Sequence, residues 1–205
     1  MGGFFVKKAE TDPKRDRDYV LVRAYVRDQS PEAFKGLYAR YSDKVYSTAY
    51  QVTGDATEAM DVTQEVFLRI HRKLDRFRFE SSFSSWLYRL TVNLATDFRR
   101  RRRAHRMLSI DGVGTESDSP AAEIASEAPG PLAQASGHEV SRQVLAALDV
   151  LSPKLREVVV LRYMQRLSYE EVAEIIGKPT GTVKSRLNRA HERLKPVLEQ
   201  LSKEI

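Results

Sequence analysis

Phe77, Phe79 and Phe83 fall within seven residues, Trp86 follows three positions later, and Arg99 to Arg103 form an unbroken arginine run. Flat rings beside dense positive charge suit a surface that stacks unpaired bases and neutralises phosphates. A helix hairpin with aromatic core positions and a solvated basic tail would account for the same residues. A second cationic group lies further on: Lys178 to Lys195 holds six Lys or Arg against the single acid Glu192. Thr182, Lys184, Ser185, Arg186, Arg189 and Arg193 face away from Val183, Leu187, Ala190 and Leu194 at helical spacing. Such a helix can enter a major groove, its first residues meeting base edges and its later arginines meeting phosphate. A solvated basic helix closing a small bundle is the alternative.

Other chemistry finds little support. There is no phosphate-cradling glycine loop, and His71, His105, His138 and His191 are scattered. Glu58, Asp61 and Glu65 share one helix with no matching carboxylates elsewhere. No cysteine is present, which excludes disulfides, zinc fingers and thiol catalysis. The residues thus predict no catalysis, no metal and no cofactor. Neither the opening MGGFFVKKAETD nor any other run reaches the roughly 20 apolar residues that cross a bilayer, so a cytoplasmic protein without membrane insertion is expected. The net charge of +6 favours a polyanionic partner.

The elements that would position these groups are helices throughout. Tyr19, Val22 and Val26 open a short one. Ser30 as N-cap with Pro31 starts a longer one whose stripe runs Phe34, Leu37, Tyr38, Tyr41, Val45, Ala49 and Val52, ended by Gly54. Asp55 and Glu58 resemble a capping box for a helix burying Ala59, Val62, Val66, Ile70 and Leu74. A further helix begins near Ser82. Met107 to Gly137 breaks the pattern with four glycines, three prolines, five acids and no base, the composition of a flexible linker. Helices resume at His138. Ser168 with Glu171 makes a capping box, and Thr180 can cap the last helix. Ala173, Gly177 and Val183 occupy the constrained positions of a helix-turn-helix. The expectation is an all-α chain of two small helical domains joined by a flexible linker: an extension over 1–15, a helical domain over 16–106, an acidic linker over 107–137 and a helix-turn-helix domain over 138–205.

The segments DATEAMDVTQEVFLRIHR, SSFSSWLYRLTVNLATDFRRR and LSPKLREVVVLRYMQRLSYEEVAEIIGKPTGTVKSRLNRAHERL together resemble the bacterial extracytoplasmic-function, or group 4, RNA polymerase sigma factors. Residues 20 to 103 look like region 2 and 138 to 200 like region 4. The resemblance implies a stress-response transcription initiation factor that binds core RNA polymerase at the beta-prime coiled coil and the beta flap, binds promoter DNA, and is held by an anti-sigma factor. Asp61, Gln64, Glu65, Phe67 and Arg69 match the polymerase-binding helix. Phe67 sits one step off the apolar stripe, which predicts an exposed aromatic. An ordinary intrahelical pair would also explain Glu65 and Arg69. Arg76, Phe77, Arg78, Phe79, Phe83, Trp86, Asn93, Arg99 and Arg100 match the segment that captures a flipped minus-ten base and follows its strand, although Asn93 would serve equally as a satisfied polar group on the helix. Thr182, Lys184, Ser185, Arg186, Arg189 and Arg193 match the minus-thirty-five reader. A stand-alone helix-turn-helix regulator is the competing reading; it would bind duplex without polymerase.

Overall fold

Caps written in the sequence set most helix boundaries. In the computed structural model, which describes residues 18–110 and 142–201, Ser30 Oγ accepts from the Ala33 N–H (3.2 Å) and α2 (Pro31–Thr53) begins there. Gly54 ends it in the left-handed region at φ +76°, a conformation that a side chain would strain. Before it lies α1 (Tyr19–Asp28); after it come α3 (Ala56–Lys73), a 3-10 turn (Leu74–Arg76) and α4 (Phe83–Ile110). The second group comprises α5 (142–149), α6 (Pro153–Val159) running into a π-helical turn (Val160–Met164), α7 (Tyr169–Ile176) and α8 (Thr180–Leu201). Among the described residues there is no strand.

Three local expectations are revised. Asp55 Oδ1 accepts from the Glu58 N–H, but the Asp55 N–H goes to Thr53 Oγ1, leaving half a capping box. Glu58 turns instead to Arg102 (3.1 Å), a counter-charge for a carboxyl that burial pushes above its usual range. Thr180 is the first residue inside α8 and Pro179 O accepts from Val183 N, so the cap lies one position earlier. Helix α4 continues through 110, four residues into the expected linker. The rest of that linker and the 1–15 extension lie outside the described residues.

Helices α2, α3 and α4 bury Leu37, Val45, Ala49, Val62, Val66, Ile70, Leu74 and Leu87 between them. Each fully buried large aliphatic contributes roughly 1.5–3 kcal/mol. In the second group the helix-turn-helix closes as its spacing requires: Ser168 and Glu171 form a reciprocal capping box, Gly177 adopts φ +63°, Lys178 N–H returns to Ala173 O, and Val183 and Leu187 are buried against Val172 and Ile175.

The two groups dock on one another. At one end Ser85 Oγ donates to Glu174 (2.9 Å), Arg89 donates to the Ile175 and Glu174 carbonyls, and Tyr88 Oη donates to Gln165 Oε1 (3.3 Å). At the other end the last carbonyls of α2 meet three guanidiniums. Arg156 Nε donates to Gln51 O (2.6 Å), Arg99 Nη1 to Val52 O (3.2 Å) and Arg102 Nη2 to Thr53 O (2.7 Å). Asp149 Oδ1 accepts from both Arg99 (2.9 Å) and Arg156 (2.6 Å). Helix α2 has no basic residue of its own in its last turn, so these arginines satisfy its orphan acceptors and complement its dipole. Burial holds the Arg156 guanidinium below its usual range, and burial followed by the nearby Arg156 charge brings Arg99 down to about 10.

Arg156→Ala orphans the Gln51 carbonyl, and Asp149→Asn leaves two buried guanidiniums without a counter-charge. Each should lower unfolding free energy by about 1–3 kcal/mol in urea titrations followed by circular dichroism. Burial, and secondarily Glu171, push the Tyr88 phenol from 10.0 up to about 12. The folded chain keeps this proton where the unfolded chain has lost it, so the stabilisation present below pH 10 is lost as pH rises toward 12. Arg99 acts in the opposite sense, since its folded value lies below its ordinary one. The comparison of Tyr88→Phe with the parent isolates the phenol, and the variant should lose less stability across that window.

Candidate nucleic-acid interface

The turn after α3 and the start of α4 hold the aromatic loop. Ser82 Oγ accepts from the Ser85 N–H (3.0 Å), fixing where α4 begins. Phe77 lies at the centre of the loop, with ring centroids 4.9 Å from Phe79, 5.4 Å from Trp86 and 6.1 Å from Phe83. Phe83 is buried and backs this cluster, whereas Phe77, Phe79 and Trp86 are half-buried and Arg76 and Arg78 are exposed. Phe79 sits at φ +53°, a region costing a bulky residue about 1–3 kcal/mol. Asn93 is exposed on α4, two turns beyond Trp86 and two before Arg100 on the same helical side.

The arginine run does not act as one strip. Arg99 and Arg102, three apart and thus on one side of α4, turn inward to the end of α2, while Arg100, Arg101 and Arg103 are exposed. Arg99, expected to follow a strand with its neighbours, is only 4% exposed, because its guanidinium is held by Val52 O and Asp149.

On α3 the expected exposed aromatic is not exposed. Phe67 is 6% accessible, with its ring 4.6 Å from Tyr38 and 6.4 Å from Phe34. Packing of α2 against α3 covers a position that α3 considered alone leaves at the margin of its stripe. The apolar side chain presented there is Leu68, 48% accessible. With Asp61, Gln64, Glu65 and Arg69 it lines a groove against Asp97, Phe98 and Arg101 of α4. Glu65 and Arg69 pair at 2.5 Å.

In the helix-turn-helix, Lys184, Ser185, Arg189 and Arg193 are exposed and Thr182 is half-buried. Arg186 leans inward toward Glu157 at 4.0 Å. Burial pushes the Glu157 carboxyl up, against the opposing pull of Arg186. Lys184 Nζ lies 5.7 Å from the Tyr169 ring centre, which anchors the first turn of α8. The outward cations are therefore spread along one helix for two turns.

The chain matches sigma-70 region 2 over residues 37–105 and sigma-70 region 4 over residues 141–194. It is 34% identical over 176 residues to the ECF RNA polymerase sigma factor SigW of Bacillus subtilis strain 168, a match spanning 86% of this chain and 94% of the relative. The chain belongs to the ECF sigma factors. The ECF RNA polymerase sigma-E factor of Escherichia coli K12 is 36% identical over 181 residues, covering 85% of this chain and 91% of that relative. The sigma factor RpoE of Bartonella quintana, solved with the anti-sigma factor NepR, aligns at 27% identity with TM-score 0.59, covering 81% of this chain and 96% of that one. CnrH, solved with the cytosolic domain of CnrY, shares the fold at TM-score 0.66 and 24% identity over 89% and 97% of the two chains.

Sigma factors are transcription initiation factors that act with core RNA polymerase on promoter DNA, and their chemistry is recognition, not bond-making. In this sigma factor no helix among the described residues is long and apolar enough to cross a membrane. Helix α1 lies ahead of the region 2 match, which starts at residue 37. Sequence reasoning missed Leu68 and the docking residues Arg89, Asp149 and Arg156. Asp149 and Arg156 pair seven residues apart, but their other partners, Arg99 and the Gln51 carbonyl, lie 50 and 105 positions away, beyond any spacing signal. Phe67→Ala should cost about 3–5 kcal/mol of stability, and Leu68→Ala should stay within about 0.5 kcal/mol of the parent in thermal melts.

Proposed function

We propose that this ECF sigma factor binds core RNA polymerase through Asp61, Gln64, Glu65, Leu68 and Arg69, captures the unpaired minus-ten strand on the Phe77–Phe79–Trp86 loop with Asn93 and Arg100, and reads the minus-thirty-five duplex with α8. The observation that carries this reading is the coexistence, on one chain matching regions 2 and 4, of an aromatic loop flanked by exposed arginines and a helix-turn-helix with outward cations. Residues 16–106 and 138–205 are the two functional units, and the cytoplasm, where polymerase works, is their site of action. Phe83 supports the loop from behind, and Arg99 reaches a phosphate only after leaving Asp149. Thr182, Lys184, Ser185, Arg189 and Arg193 meet the upstream element directly, with Arg186 turning outward to join them.

The two promoter elements lie about 25 base pairs apart, on the order of 85 Å of duplex. The docked arrangement, with α7 directly on α4, holds the readers too close to occupy both. The halves therefore separate on promoter-bound polymerase. Held at fixed spacing by the enzyme, each half raises the effective concentration of the other at its element. An anti-sigma factor would keep the faces covered and the halves together until its signal arrives. RpoE of Bartonella quintana, which aligns over most of this chain, was solved with such a partner.

In transcription assays with core polymerase, Leu68→Asp should lower core affinity at least about tenfold by placing a charge at the interface. Arg189→Ala should weaken initiation only at promoters that need the upstream element, and reduce the magnitude of the salt slope of duplex binding by about 1. Parental initiation by both variants at every promoter would refute these assignments, and promoter binding by the protein alone, unchanged by core enzyme, would favour a stand-alone regulator.

A further inference from the structure

Helix α1 lies outside the matched region, yet its first ring joins the aromatic loop. Tyr19 packs against Phe79 with centroids 5.1 Å apart and planes tilted by 51°, and Arg23 lies one turn on, 5.7 Å over the Tyr19 ring. A continuous series of rings therefore runs from α1 across the loop into α4: Tyr19, Phe79, Phe77, then Trp86. Tyr19 is half-buried and Arg23 exposed, so both keep accessible surface beside exposed Arg76 and Arg78.

The placement of Tyr19 is enforced by its neighbour. Asp18 is 1% exposed, accepting from Tyr41 Oη (2.5 Å) and Arg40 Nη1 (2.6 Å) on α2. The Tyr41 ring in turn meets Phe83 at 5.6 Å, and Phe83 meets Phe77 at 6.1 Å. A closed circuit of contacts thus runs from Asp18 through Tyr41, Phe83, Phe77 and Phe79 back to Tyr19. Phe79, at the left-handed φ of +53°, is gripped between Phe77 and Tyr19. Such a conformation persists only where the surroundings over-determine it, and Tyr19 is one of those surroundings.

We propose that Tyr19 and Arg23 extend the single-strand surface onto α1, Tyr19 forming the far wall on which a base stacks and Arg23 contacting the adjoining phosphate. This rests on the reading of the Phe77–Phe79 loop as the strand-capturing site. Rings of the protein stack on bases with little regard for sequence, and a cation poised over the outermost ring lies where the strand backbone would pass.

The test uses holoenzyme assembled from core polymerase and the full chain, with a fluorescent oligothymidylate of about 12 nucleotides followed by anisotropy. Tyr19→Leu, which retains apolar packing, should weaken binding about 5- to 20-fold, whereas Tyr19→Phe should bind like the parent. Arg23→Gln should reduce the magnitude of the salt slope by about 0.7, the share of one single-strand phosphate. Phe79→Leu serves as the loop control. If Phe79→Leu weakens binding while Tyr19→Leu and Arg23→Gln leave affinity and slope unchanged, α1 takes no part and the loop reading stands. If none of the three changes binding, the loop reading fails and takes this inference with it. A loss of core-polymerase affinity in Tyr19→Leu with intact strand binding would make α1 a protein-contact face and overturn the inference. Should Tyr19→Leu unfold, the Arg23→Gln slope decides alone.

Discussion

The C-terminal end of α2 is the point on which both halves of the molecule depend. A helix that ends in Gly54 leaves its last carbonyls without intrahelical donors, and α2 supplies no cation of its own to meet them. Arg99 and Arg102 arrive from α4 and Arg156 from α6, so one helix terminus binds region 2 internally and ties region 4 to it. Asp149 lets two of these like charges coexist within a small space. Charge-assisted bonds to fixed carbonyls are directional, so this contact specifies a single docked orientation.

The other end of the interface repeats the device with the roles of the halves exchanged. Arg89 of α4 meets the final carbonyls of α7, immediately before Gly177 turns the chain toward the recognition helix. The guanidiniums on helix ends frame a junction that is also apolar, since one buried cluster runs from Val52, Leu87 and Tyr88 to Leu151, Val160 and Ile175. Arg99 serves both halves at once, meeting Val52 O of α2 and Asp149 of the second group with one guanidinium.

Helix α3 illustrates how packing reassigns neighbouring residues. On a helix in isolation, Phe67 lies at the edge of the stripe formed by Val62, Val66 and Ile70. The arrival of Phe34 and Tyr38 from α2 draws the ring inward and leaves Leu68 outside among Asp61, Gln64, Glu65 and Arg69. An exposed leucine with charged neighbours and a buried aromatic cannot be told from the reverse by periodicity, since the two positions differ by one step on the helix. A similar division splits the arginine run: positions 99 and 102 reach the carbonyls at the end of α2, whereas 103, on the same helical side as 99, is exposed with 100 and 101.

Helix positions, the Gly54 and Gly177 stops, the Ser168–Glu171 box and the helix-turn-helix were legible from the sequence because caps, left-handed turns and 3.6-residue periodicity are local: each depends on residues within a turn or two. The family resemblance was legible for the same reason, resting on long contiguous segments. What the tertiary structure alone decided is which cations stay exposed, which aromatic is buried, and that α1 packs against the aromatic loop. Those outcomes depend on partners from 29 positions away, as between Phe67 and Tyr38, to 105, as between Arg156 and Gln51, and no local spacing encodes which distant carbonyl a guanidinium will find.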